Sequence, residues 1–164
     1  MTVTFNNKDF EFFYHTSEDS WISKELITLK SKNYLFKFRI EIQLKEFVNK
    51  QFNETQIPEF LSFLEENLSD QLDVIAKKIL IPFNQIIDSE YSNHLDKFRF
   101  EFNTIYYKEP GRSFNTLYNK IGFNYSLCYQ LFHSDYVECY APYTFYFVDF
   151  LNTTLVGCRV DLPY

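Results

Sequence analysis

Histidine and cysteine side chains are the candidates for metal binding or nucleophilic catalysis in this chain. His133, Asp135, Glu138 and Cys139 form the one cluster that mixes metal-ligand types. Alternate residues of an extended strand point to the same side, so His133 and Asp135 would share a side that Glu138 does not face. The residue types alone do not make Cys139 and His133 a nucleophile–base pair. The spacing therefore favours neither a metal site nor covalent catalysis, and we expect no cofactor.

The chain contains none of the short motifs that accompany common enzymatic activities. It has no Gly-rich phosphate loop and no G-x-S-x-G, H-E-x-x-H or C-x-x-C segment. Nucleic-acid binding needs a basic patch that neutralises phosphates, whereas the formal net charge of this chain is −6. We therefore expect neither an enzyme nor a nucleic-acid-binding protein.

The acidic side chains are concentrated in residues 57–96. Acidic and basic residues are equal in number in residues 1–56 and again in residues 97–164, so the charge of −6 arises between these two regions. Lys77 and Lys78 are the basic residues of this acidic section. The carboxylates that we assign to a candidate partner-binding surface are Glu59, Glu65, Glu66, Asp70, Asp73, Asp88 and Glu90.

This concentration of charge has two interpretations. Charged residues on a helix usually form a solvated face, and carboxylate pairs can act as general acid and base only within a cleft. Alternatively, they form a docking surface for a basic partner, because a local negative potential speeds the encounter with a cationic protein. The localisation favours the docking surface, since evenly distributed acidity would serve solubility equally well.

The apolar residues of the acidic section recur at spacings of three and four, which is typical of amphipathic helices. They are Phe60, Leu61, Leu64, Leu68, Leu72, Ile75, Ile79, Phe83 and Ile86. Pro58 suits the first turn of a helix, where its absent N–H has no bond to lose. Ser69 is a candidate N-cap for a second helix, and Pro82 predicts a kink or break within that helix.

Strands are predicted before the acidic section. Thr2–Phe5 and Asp9–His15 flank Asn6-Asn7, a dipeptide that suits a tight hairpin turn. Trp21–Leu29 and Tyr34–Leu44 form a second predicted hairpin. In its second strand Phe36, Phe38, Ile40 and Ile42 alternate with Lys37, Arg39, Glu41 and Gln43, so we expect one buried face and one wet face.

Period-two patterns return after the acidic section. Lys97–Phe102 repeats the residue types of Lys37–Ile42, which indicates either equivalent strands of one sheet or a duplication; six residues favour the first interpretation. Residues 113–121 are a candidate short helix that ends at Gly122. Further predicted strands are Phe123–Phe132, Tyr136–Tyr140, Tyr143–Phe150 and Thr154–Val160, with Asn152-Thr153 as a turn.

These patterns predict a single α+β domain over all 164 residues. Residues 1–45 and 97–160 supply strands, and the acidic section 57–96 supplies helices. We expect an antiparallel sheet of short strands with a central helical section, about residues 57–88, packed on one face.

The cysteines and the N-terminus indicate a cytoplasmic protein. Cys128, Cys139 and Cys158 are odd in number and lack metal-ligand spacing, so we expect reduced thiols. Residues 1–13 do not resemble a signal peptide, and no apolar run reaches the length of a membrane span. We expect no membrane partner.

The chain resembles bacterial toxin-immunity proteins, such as those of contact-dependent growth inhibition and other polymorphic toxin systems. The resemblance lies in its size, its acidity, its 20 Phe and 13 Tyr, and the acidic run through Glu65-Glu66, Asp70-Asp73 and Asp88-Glu90. The resemblance implies one-to-one binding of a cognate, basic, nuclease-type toxin and occlusion of its active site. Either the acidic helices would clamp a basic surface, or a sheet edge or a gap between strands would accept a strand of the toxin.

Two other classes of function remain open. The first is a non-enzymatic interaction module of phage or mobile-element origin. The second is a small-ligand binder, which would need an internal cavity lined by Tyr and Phe.

Overall fold

The computed structural model describes residues 1–31, 34–43, 55–68, 73–87, 97–108, 122–133 and 144–161. Within these ranges the chain forms nine strands and two helices, mostly as β-sheet. The strands are β1 Thr2–Phe5, β2 Lys8–His15, β3 Ser20–Ser23, β4 Ile27–Ser31, β5 Tyr34–Gln43, β6 Phe98–Lys108, β7 Asn124–His133, β8 Phe145–Leu151 and β9 Thr154–Asp161. The helices are α1 Gln56–Asn67 and α2 Asp73–Ile87.

The strands form one sheet in the order β1-β2-β3-β5-β6-β7-β8-β9, with β4 also paired to β5. All of these pairs are antiparallel except β5–β6, which is parallel from Arg39↔Thr104 to Ile42↔Tyr107. The expected α+β class is therefore confirmed, whereas a purely antiparallel sheet is wrong at this one pair. Parallel neighbours need a long connection, and the segment that contains α1 and α2 provides it.

The turns of two predicted hairpins are confirmed. Asn6 and Asn7 have φ angles of 50° and 60°, and they join β1 to β2. Asn152, with a φ angle of 52°, lies in the turn between β8 and β9. Asparagine tolerates this left-handed backbone conformation better than most residues do. Tight hairpin turns use this conformation because it fits the right-handed twist of the two strands.

The second predicted hairpin differs from the expectation in its first strand. Instead of one strand over Trp21–Leu29, the chain forms β3 and β4, which both pair with β5. Ile22 pairs with Glu41 and Ile27 with Phe38, so the first strand carries extra residues between these two pairs. Such an insertion interrupts the hydrogen-bonding ladder locally. The alternation of apolar and polar residues along the sequence does not reveal this interruption.

The alternation predicted for β5 is confirmed. Phe38, Ile40 and Ile42 are fully buried, whereas Lys37 and Arg39 are exposed. The segment Lys37–Ile42 lies in β5, and Phe98–Phe102 lies in the neighbouring strand β6, which begins directly after Lys97. Their matching residues are not opposite each other, however, because the pairing register joins Arg39 to Thr104.

A β-bulge in β6 keeps its large side chains on one face of the sheet. Phe102 pairs with Tyr129 and Thr104 with Cys128, so Asn103 is the extra residue. Without it Phe102 and Ile105 would point to opposite faces. With it, Ile105 lies opposite Leu127, on the same side of β7 as Tyr129.

Both helices predicted in the acidic section are present, and the predicted apolar spacing is confirmed for α1. In α1, Ile57, Phe60, Leu61 and Leu64 are fully buried, and the Phe60 ring lies 4.7 Å from that of Tyr107 and 5.3 Å from that of Tyr125. In α2, Ala76 and Leu80 are fully buried. The described residues of the predicted apolar stripe of α2, Ile75, Ile79 and Phe83, are only half-buried. Helix α1 contacts β1 and β4, and α2 contacts β6 and β8. Among the described residues, neither helix has the length and apolar character needed to cross a membrane.

Of the predicted kink or break at Pro82, the break is wrong, since α2 continues to Ile87. Proline removes one hydrogen bond to the carbonyl four residues earlier, which here belongs to Lys78. Both residues lie on the exposed side of α2, where water can bond that carbonyl.

Gly122 has a different role from the predicted helix cap, because none of the described glycines has a positive φ. A Cβ atom at Gly122 would overlap the side-chain amide of Asn152. That amide oxygen accepts a hydrogen bond from the Phe123 N–H at 2.9 Å. Close approach of the β8–β9 turn therefore explains this glycine. The predicted helix over residues 113–121, the predicted strand Tyr136–Tyr140 and the candidate cap Ser69 lie outside the described residues.

Candidate functional site

The predicted acidic surface is described for part of its residues. Glu59 and Glu66 are exposed on α1, while Glu65 is half-buried and accepts hydrogen bonds from the Asn6 amide at 3.3 Å. Asp73 is the first residue of α2, and its side chain is outside the description. The remaining predicted positions, which are Asp70, Asp88 and Glu90, lie outside the described residues.

The sequence of α1 explains why these carboxylates face outward. Glu59, Ser62 and Glu66 follow one another at helical spacing and are all exposed. The opposite side of the helix is fixed in the core through Phe60 and Leu64. Glu59 also lies in the first turn, where the helix dipole favours a negative charge.

No cation among the described residues forms an ion pair with Glu59 or Glu66. The described ion pairs involve other carboxylates: Lys24 with Glu11, Arg99 with Glu101, and Lys108 and Arg159 with Asp149. The outer face of α1 is therefore a negative surface on a fixed helix.

The histidine cluster that sequence analysis considered is described only at His133. This residue ends β7, and its ring meets that of Phe98 edge-on at 4.8 Å. Asp135, Glu138 and Cys139 lie outside the described residues. Within the described ranges, no group of three or more His, Cys, Asp or Glu side chains could hold a metal ion.

Two of the cysteines are free thiols, in agreement with the expectation. Cys128 is buried and Cys158 half-buried. Burial raises the pKa of Cys128 to about 12, although the nearby Arg159 acts in the opposite direction. The thiol is therefore protonated at neutral pH, and Cys128 is not an activated nucleophile.

A partly buried polar network around Asp149 was not found by sequence reasoning. Ser126 donates a hydrogen bond to Asp149, the Arg159 Nη1 lies 2.8 Å from both carboxylate oxygens, and the Lys108 Nζ lies 3.3 Å away. The Arg159 guanidinium also lies over the Phe147 ring, 4.2 Å from its centroid. Residues of β6, β7, β8 and β9 thus meet at one carboxylate.

The surroundings of Asp149 keep it ionised. Burial acts to raise its pKa, but the Ser126 hydrogen bond and the charges of Lys108 and Arg159 outweigh burial and lower it. The carboxylate is occupied by these donors, so the network ties neighbouring strands together. The sequence signal for this network is Asp149 itself, the one charged residue in the apolar run Phe145–Leu151. Its partners could not be identified from the sequence because they depend on the register between strands.

A cavity of about 610 Å³ lies between β5, β6 and α2, and we call it the β5–β6 cavity. Its apolar lining consists of Leu35, Phe36, Ile81, Phe98, Phe100 and Phe102. Its charged lining consists of Lys37, Lys77, Arg99 and Glu101. The small-ligand alternative needs an internal cavity lined by Tyr and Phe. This cavity is open to solvent at Leu35 and Ile81, and the described aromatic residues that line it are phenylalanines.

The cavity has the opposite charge character from the outer face of α1. Among the described residues, three basic side chains and one carboxylate line it, and that carboxylate, Glu101, pairs with the Arg99 Nε at 2.6 Å. Sequence analysis noted the similar segments around Lys37 and Lys97, but it placed them only as strands. It did not find that residues of both line one cavity.

Comparisons with known proteins add no relative. No protein family, no curated protein and no solved structure matches this chain.

Proposed function

We propose that this protein is a non-enzymatic, cytoplasmic immunity protein that binds and neutralises a cognate basic toxin. The observation that carries the proposal is the outer face of α1, where Glu59 and Glu66 are exposed and form no ion pair with a described residue. They belong to the section of the chain that holds its whole formal charge of −6.

The negative surface of α1 is complementary to the cationic active site that a nuclease-type partner would have. A nuclease binds the phosphates of nucleic acid through cationic side chains. The carboxylates of an inhibitor can occupy the positions that the phosphates would take. A concentrated negative potential also attracts a basic protein over a distance and speeds its association. A protein that offers such a surface can block nucleic acid without any catalytic group of its own.

The attachment of α1 supports tight binding. Ile57, Phe60, Leu61 and Leu64 fix the helix in the core, so the carboxylates of the outer face are held in place before the partner arrives. A surface that is ordered beforehand loses less conformational entropy on association. Two contacts further support an arrangement with both helices on one face of the sheet. The Phe60 ring of α1 meets the Tyr107 ring of β6, and Ile81 of α2 lines the β5–β6 cavity together with Phe100 of β6.

The test uses the protein encoded directly upstream, where the proposal places the toxin gene. Cells that produce that protein should grow only when this chain is also produced, and the two purified proteins should bind one to one. The double variant Glu59→Gln/Glu66→Gln should associate at least about tenfold more slowly at low salt, because the steering potential is reduced.

The matched control is Glu18→Gln/Glu25→Gln, which removes the same charge from exposed positions away from α1. It should leave the association rate within about twofold of the original protein. If both double variants slowed association equally, the effect would come from the net charge of the protein and not from the outer face of α1. Absence of protection and of binding would overturn the proposed function.

A further inference from the structure

We propose that the β5–β6 cavity is a binding site for a small amphipathic anion, that is, a molecule with an apolar body and one carboxylate, sulfate or phosphate group. This site goes beyond the partner-binding function and does not depend on it. The cavity combines an aromatic wall with cationic residues and exposed apolar side chains.

The cavity lies between two neighbouring strands. Consecutive residues of both strands line it, Leu35 to Lys37 in β5 and Phe98 to Phe102 in β6. Consecutive residues point to alternate faces of a strand, so a cavity that touches all of them faces the strand edge. The parallel ladder joins the later parts of the same strands, from Arg39↔Thr104 onward. Helix α2 contributes Lys77 and Ile81 to the lining.

The aromatic wall is supported from behind by other rings. Phe102 lies 5.4 Å from Phe38 and 5.7 Å from Tyr129, measured between ring centroids. Phe100 meets Tyr146 at 5.1 Å, and Phe98 meets His133 at 4.8 Å. These contacts fix the wall in place, so the cavity does not need to be formed by its ligand.

The charged residues select for an anion. Among the described residues of the lining, Lys37 and Arg99 face one carboxylate, Glu101, so these three side chains have a formal excess of positive charge in a chain whose net charge is −6. Arg99 is held by its ion pair with Glu101 and by the Phe132 ring, 5.6 Å from its guanidinium carbon. A fixed cation beside an apolar wall suits a ligand that has both properties.

The exposed apolar residues and the size of the cavity indicate an apolar body of limited length. Leu35 is 61% exposed and Ile81 is 41% exposed, although both are large apolar side chains. A ligand in the cavity would cover them. The volume of about 610 Å³ lies within the range of about 300–1,000 Å³ that is usual for small-ligand sites.

The test measures binding of dodecanoate to the isolated full chain by titration calorimetry, below the concentration at which it forms micelles. We expect saturable binding of one molecule per chain that weakens at high salt. Dodecanol, which has the same chain without the charge, should bind at least about tenfold more weakly. Equal binding of the alcohol, or non-saturable uptake of many dodecanoate molecules, would overturn the proposal.

Ile81→Glu is the diagnostic variant because it places a negative charge at an exposed position in the cavity lining. It should weaken dodecanoate binding at least about tenfold. Val74→Glu is the matched control, since Val74 is 44% exposed on the same helix and does not line the cavity. Circular dichroism and thermal unfolding of both variants will verify that the fold is intact.

A second variant tests the cationic residues directly. Lys37→Gln/Arg99→Gln should weaken dodecanoate binding at least about tenfold, and Lys8→Gln/Lys24→Gln should leave it within about twofold. Equal affinities of the two double variants would overturn the assignment of the headgroup site. Binding of a peptide of alternating Glu and Leu, without binding of dodecanoate, would replace the small anion by an acidic protein segment and so overturn the proposal.

Discussion

Asp149 shows how one charged residue is accommodated in an otherwise apolar strand. Ser126 lies opposite it in the ladder between β7 and β8, and Arg159 reaches it from β9. Its pKa is lowered because the Ser126 hydrogen bond and the two nearby cations outweigh the effect of burial. The counter-charges that this position needs therefore come from β9, which pairs with β8, and from β6, which lies beyond β7.

We expect Asp149→Asn to lower the free energy of unfolding by about 1–3 kcal/mol, because it leaves Arg159 and Lys108 without their carboxylate. Urea denaturation followed by circular dichroism measures this change. Asp161→Asn, at an exposed position of β9, is the control and should change the free energy by less than about 0.5 kcal/mol. Equal effects of the two substitutions would contradict a special role of Asp149.

The same lowered pKa gives the pH dependence of this contribution. An Asp side chain in the unfolded chain titrates near about pH 4, and the folded value lies below it. Ionised Asp149 therefore stabilises the fold above about pH 4, and its contribution is lost as the pH falls through the folded pKa. The difference in unfolding free energy between the original protein and Asp149→Asn should shrink on acidification, and a difference that stays constant would be the contrary result.

At the scale of the elements, α2 tolerates a proline that would normally end a helix. Pro82 and Lys78 lie on the exposed side, so the carbonyl that lacks its intrahelical bond is accessible to water. The apolar side of α2 buries Ala76 and Leu80, and the helix contacts β6 and β8. The burial of the apolar side thus outweighs the unfavourable effect of proline on helix formation at the exposed side.

We expect Pro82→Ala to raise the free energy of unfolding by about 1 kcal/mol or more, because it restores the N–H donor and removes the ring clash. The gain is smaller than the full propensity difference, since alanine also gives the unfolded chain more freedom. Chemical denaturation measures the change. Lys78→Ala, one turn earlier on the same side, should change it by less than about 0.5 kcal/mol, and a destabilised Pro82→Ala variant would show that the helix needs its proline.

At the scale of the whole molecule, the two proposed binding surfaces have opposite charge. The outer face of α1 is negative at Glu59 and Glu66, whereas the β5–β6 cavity has a positive excess at Lys37 and Arg99. Opposite charge on two separate surfaces lets them select different partners.

Salt should affect toxin association through the acidic surface. Raising the ionic strength from about 0.02 M to about 0.5 M shortens the screening distance from about 20 Å to about 4 Å, so association should slow at least about tenfold. Stopped-flow kinetics measures the rate. The Glu59→Gln/Glu66→Gln variant should show a smaller salt effect, and an unchanged slope would place the steering charges elsewhere.

Local patterns predicted much of the fold. Alternation placed Phe38, Ile40 and Ile42 on the buried face of β5, and helical spacing found the buried residues of α1. Asn6-Asn7 marked a hairpin turn correctly. Each of these features depends on neighbours along the chain, because strand and helix periods and turn conformations are local properties.

The tertiary structure alone decided the features that join distant parts of the chain. The parallel pairing of Ile40 with Ile105, the bulge at Asn103 and the meeting of Ser126, Asp149 and Arg159 all depend on register between strands. The β5–β6 cavity likewise needs two strands and a helix to be placed together. Composition determines that the chain is acidic and rich in aromatic residues, but packing between distant segments determines where its charges and rings can meet a ligand.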